Sequence, residues 1–89
     1  MKYQLDFKDI KNKKELHQYL KQELSFPDYY GSNLDALYDM LTCFEEGTTI
    51  EIINFSNFKN LEEKYCNMLM VLFDDVNNEQ LGVDIKVIN

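Results

Sequence analysis

Asp35 and Asp39 stand four residues apart, the spacing of neighbours on one helix face, and no basic side chain lies near them in sequence. Carboxylates about one helical turn apart, roughly 6 Å along the axis, can do three kinds of work. They can act as general acid and base, hold a divalent metal, or enter a cationic pocket on another molecule. Spacing alone excludes none of these, but three absences argue against an enzyme: there is no evident nucleophile–base pair, no glycine-rich phosphate loop, and no Arg or clustered Lys to stabilise an anionic transition state. No catalytic residue, cofactor or metal is therefore expected, and the chain reads as a non-enzyme. Tyr29, Tyr30 and Tyr38 are interleaved with the acids, and Tyr is enriched at binding hot spots. That points to a protein-binding surface rather than an acidic face kept only for solubility.

Charge is distributed to the same effect. The net charge is −7. Between Lys21 and Lys59 there is no basic residue, while Glu23, Asp28, Asp35, Asp39, Glu45, Glu46 and Glu51 are all acidic. A field of one sign on one segment speeds encounter with a basic partner and weakens with salt. Within the helix, two like charges at i and i+4 cost about 0.2–0.5 kcal/mol, so their compensation must come from outside it. A local role can be assigned to Asp35 alone: with Ser32 as N-cap it falls at the third helical position, where an acid is favourable. Asp39 has no such explanation.

The elements that must present these residues follow from the flanking sequence. Pro27 drives Phe26 towards extended geometry and bars a helix arriving from the N-terminal side. Gly31 permits a sharp turn, Ser32 or Asn33 can cap, and Leu34, Leu37 and Leu41 form one apolar stripe. The helix is expected over about Asn33 to Thr42, with Gly47 closing the turn after it. Tyr3, Leu5 and Phe7 alternate as in a strand, and Leu16, Tyr19, Leu20 and Leu24 mark a helix capped by Asn12. His17 sits at the edge of that stripe as a structural hydrogen-bonding residue, since catalysis would need a positioned partner. Thr49 to Phe55 is β-branched and apolar, suiting a central strand buried on both faces. A short helical turn or loop over 54–60 precedes a long helix carrying Tyr65, Met68, Leu69, Leu72, Phe73 and Val76. Met68 and Met70 read as core filler, Asp74 points away from the stripe, and Asp75 lies at its margin. Asn77, Asn78 and Gly82 break the helix before a last strand with Val83, Ile85 and Val87 facing one way.

Strands separated by helices imply parallel pairing, hence a three-stranded α/β sheet with about four helices in one domain, 1–89. Cys43 and Cys66 are too few and too far apart for a disulfide framework or zinc site, and read as small apolar fillers. With no secretory signal and no spanning segment, a cytoplasmic location is expected.

The run Pro27 to Leu41 resembles the signature of barstar, the intracellular inhibitor of a secreted, barnase-type bacterial ribonuclease. Leu16-His17-Gln18, Lys21 to Leu24, Ile50 to Phe55 and Gly82 to Ile88 are similar to the family's order of elements. The resemblance implies a parallel sheet of order 1-2-3 and a 1:1 heterodimer in which the loop and motif helix plug the nuclease's active site. It gives Asp35 and Asp39 the place of substrate phosphates and sets Tyr29 against the enzyme's catalytic His. It has Tyr30, Gly31, Asn33 and Ala36 shape the contact, includes Thr42, and puts Asp75 where the family has a rim Glu. Tyr38 and Phe44 stand where barstar has tryptophans. No direct nucleic-acid or membrane partner is implied. The alternative is an acidic interaction module of the same fold that binds a different basic toxin, nuclease or regulatory protein.

Overall fold

A computed structural model describes residues 1–88; the last residue of the expected 1–89 domain lies outside them. In chain order the elements are β1 (Lys2–Asp6), α1 (Lys13–Glu23), α2 (Leu34–Thr42), β2 (Thr48–Ile53), α3 (Phe55–Lys59), α4 (Glu63–Asn78) and β3 (Val83–Val87). The strands form one parallel sheet in the order β1-β2-β3, with Tyr3 opposite Ile50 and Ile50 opposite Ile85. This is the expected architecture.

The sheet differs from expectation in what covers it. Thr48, Ile50 and Ile52 of β2 are buried, but Thr49, Glu51 and Ile53 between them are only half-buried. Register places Lys2 and Gln4 beside Thr49 and Glu51, and Asp84 and Lys86 on their other side. Lys2 and Glu51 form an ion pair at 3.5 Å on that face. The helices thus cover one face, and the other is a polar outer surface. A β-branched run shows that a strand is buried on one side; it does not show how many sides.

Helix α1 ends with Ser25 in the left-handed region at φ 56°, and the Phe26 N–H donates to the Lys21 carbonyl. This closing hydrogen bond terminates the helix before Pro27 acts. Helix α4 runs on through Asn77 and Asn78, where helix-breaking residues suggested an earlier stop. Asn77 has a reason to stay helical. Its side-chain amide donates to the Ile85 carbonyl at 3.0 Å and accepts from the Ile85 N–H at 2.8 Å, pairing with the outer edge of β3 as a neighbouring strand would. Asn77→Ala should therefore lower stability by about 1–3 kcal/mol, read as a reduced urea midpoint at unchanged slope. An unchanged midpoint would show that water replaces the amide at no cost. The cysteines are both free, but only Cys66 is buried; Cys43 is exposed, contrary to its reading as a filler.

Candidate functional site

Helix α2 begins at Leu34 because Asn33 caps it: the Asn33 Oδ1 accepts from the Ala36 N–H at 2.8 Å, and its Nδ2 donates to the Gly31 carbonyl at 3.3 Å. Ser32 does not cap; it takes the left-handed turn at φ 54°. Gly31 serves a different need from the turn expected of it. A Cβ there would lie 3.2 Å from Asn33 Nδ2 and 3.3 Å from Ala36 Cβ, so the missing side chain lets the loop lie close against the start of the helix. With Asn33 as cap, Asp35 occupies the second helical position and not the third expected with Ser32 as cap. It remains in the first turn, where the helix N-terminus favours an acid.

Asp35 and Asp39 are both exposed. The three ion pairs among the described residues are Lys2–Glu51, Lys21–Asp28 and Lys86–Asp84, and neither aspartate belongs to them. Tyr29 is 81% exposed on the loop preceding α2, while the next residue, Tyr30, is 6% exposed. Tyr30 therefore shapes the loop from beneath. Its hydroxyl is 2.7 Å from His17 Nδ1, and His17 Nε2 is 2.6 Å from the Tyr65 hydroxyl. A neutral imidazole donates from one nitrogen and accepts at the other, so one tyrosine accepts and the other donates. The chain Tyr30–His17–Tyr65 ties the loop to α1 and α4. Burial pushes the His17 pKa down and both tyrosine pKa values up, with Tyr65 feeling Glu62 as well. Phe26 packs on Tyr30 with ring centroids 4.8 Å apart, and Phe44 leans on Phe26 and Tyr3 at 6.5 and 5.6 Å.

On the other side of α2, Asp35, Tyr38 and Asp75 line one groove between α2 and α4. The Tyr38 hydroxyl donates to Glu79 Oε1 at 2.9 Å. That bond, followed by partial desolvation and by the charges of Glu79, Asp75 and Asp39, raises the Tyr38 pKa. Thr42 turns its hydroxyl back to the Tyr38 and Asp39 carbonyls. Asp35, Tyr38 and Asp75 are thus brought together with Asp39 and Glu79 around the α2–α4 seam. Gly31, Asn33 and Ala36 form the adjoining helix entry, and Phe44 lies beyond Thr42 at its end. Glu79 was missed by sequence reasoning; the signal was its place one helical turn beyond Asp75. No group of three or more His, Cys, Asp or Glu side chains among the described residues is arranged to hold a metal.

The model of the Barstar family, described as barstar (barnase inhibitor), matches residues 1–88. The chain belongs to the barstar family. A curated relative from Bacillus subtilis (strain 168), named "Putative ribonuclease inhibitor YrdF", is 35% identical over 85 residues, covering 94% of this chain and 92% of that protein. In this barstar-family chain the exposed Tyr29 lies on the loop that leads into the capped helix, and Asp35 and Asp39 on that helix are exposed and outside the ion pairs among the described residues. No helix among the described residues is long and apolar enough to cross a membrane.

Proposed function

We propose that this protein is an inhibitor of a barnase-type ribonuclease, acting in the cytoplasm as one partner of a 1:1 complex and carrying no catalysis of its own. The observation that carries this is the pair Asp35 and Asp39, exposed and without ion-pair partners on an internally capped helix. A nuclease active site binds phosphates and is therefore basic. Carboxylates held in that geometry take the place of the substrate's phosphates and meet the cationic groups that would bind them. Tyr29 covers the enzyme's catalytic His, and Asp75, one methylene shorter than the family Glu, reaches its cationic partner through water.

The test is a titration of a barnase-type ribonuclease with the purified protein, followed by association kinetics at several salt concentrations. Stoichiometric inhibition is expected at one inhibitor per enzyme. The on-rate should fall by about tenfold or more as ionic strength rises from about 0.01 M, where the Debye length is about 30 Å, to about 1 M, where it is about 3 Å. The off-rate should change less. A flat on-rate would remove steering from the mechanism, and absence of inhibition across such enzymes would favour a different basic protein as target.

A further inference from the structure

Helix α4 carries more apolar side chains than the core takes up. Leu69, Leu72, Phe73 and Val76 are buried, yet Met68 is 53% exposed and Val71 is 60% exposed. Met68, expected in the core, instead joins Val71 on the outer flank of the helix. The two residues line the groove between α2 and α4, of about 630 Å³, with Leu72 and Leu34 also in its wall. Asp35 and Asp75 border the same groove, and Tyr38 is fixed there by its bond to Glu79. The groove is therefore apolar within and acidic around, and it shares Asp35, Tyr38 and Asp75 with the proposed binding surface.

We propose that this groove is a specificity pocket for the nuclease: it seats one bulky uncharged side chain standing beside the basic residues that meet Asp35 and Asp39. This rests on the inhibitor assignment above and specifies the partner further. The charge around the groove selects the occupant. A second copy of this chain docked groove to groove would bring Asp35 and Asp75 against their own counterparts with no basic residue lining the groove to neutralise them. A basic protein with an apolar side chain set among its cations matches both parts of the groove. Core packing does not require Met68 or Val71 to be apolar, because both face outward. Burial of such side chains at the centre of an interface supplies affinity that salt does not screen.

The test uses barnase as probe, with a series of barnase variants each carrying a single Leu at a surface position that comes to face α4. At least one of them should bind the unmodified chain about tenfold tighter than barnase does. That gain should be the same at low and high salt and should vanish against the Met68→Ser, Val71→Gln double variant. The double variant should itself unfold at the temperature of the unmodified chain, since both substitutions are on the surface. Tight binding of barnase with no gain from any Leu, or a gain that survives the double variant, overturns the pocket and leaves the inhibitor assignment standing. Failure of the unmodified chain to bind barnase at all defeats the inhibitor assignment and the pocket with it. A dimer of the free chain, dispersed by Val71→Gln in sedimentation, would give the groove to self-association instead.

Discussion

Replacing Asp39 with Ala should weaken binding to a barnase-type ribonuclease by about a thousandfold or more, while leaving the free protein at least as stable as before. In the complex the Asp39 carboxylate would be the shared acceptor for several buried cationic donors on the enzyme. Removing it strands those charges away from water, which typically costs about 2–5 kcal/mol or more, at about 1.4 kcal/mol for each factor of ten. The upper end is expected because barstar's matching aspartate is the known extreme among such hot spots; that size is inherited from the family resemblance. In the free protein nothing is lost, because Asp39 is exposed and takes part in none of the ion pairs among the described residues. The repulsion between Asp35 and Asp39 disappears, worth a few tenths of a kcal/mol. Two measurements decide it: thermal unfolding of Asp39→Ala alone, and its titration against the active nuclease. Marked destabilisation with unchanged inhibition would make Asp39 a structural residue.

Acidification should destabilise the protein well before its carboxylates protonate, and His17 is the cause. Burial holds its folded pKa below the ordinary 6.5. As pH falls, the unfolded chain therefore takes up the proton first. The contribution of a neutral His17 to stability is fully present above about pH 6.5 and declines below it until the folded imidazole protonates too. The separate contribution of Asp6, whose pKa is depressed mainly by the Asn54 amide and then by the Lys8 N–H, is lost only lower, as pH falls through the region below 3.8. Denaturant unfolding at pH 7 and pH 5 isolates the histidine. His17→Gln, which can still hydrogen-bond both tyrosines, should flatten the dependence. His17→Phe should strand two hydroxyls and cost about 2–4 kcal/mol, a fall in Tm of at least about 8 °C for a chain of this size. Equal pH slopes for the parent and His17→Gln would place the acid sensitivity elsewhere.

Most of this architecture was legible in the residues. Alternation in Tyr3, Leu5 and Phe7 and the 3.6-residue repeat of α4 are direct records of one buried face. Two of the failures share a cause, which is that a repeat marks a face without naming what covers it. Thr49, Glu51 and Ile53 look no less strand-like for being on the open side of the sheet. Met68 fits the apolar repeat of α4 but lies on the flank of the helix, which the core does not reach. Asn77 breaks helices on average, but here two hydrogen bonds to Ile85 outweigh that preference. At the proposed binding surface Asp35, Asp39 and Tyr29 are expected from sequence to be presented to a partner, and all three are exposed. The buried orientation of Tyr30 and the contribution of Glu79 required knowing that α4 passes beside α2 and that His17 lies under the loop.

The uncovered side of the sheet gives the molecule a back. Gln4 and Lys86 project from it, away from the helical layer that carries Tyr29, Asp39 and the groove. A tether, fluorophore or fused protein attached at those two positions would leave the proposed recognition surface unobstructed. Coupling through the one exposed thiol would not, because Cys43 lies between Thr42 and Phe44. The same arrangement would let the protein be held by one side in a larger assembly while the side proposed to meet a nuclease stays free.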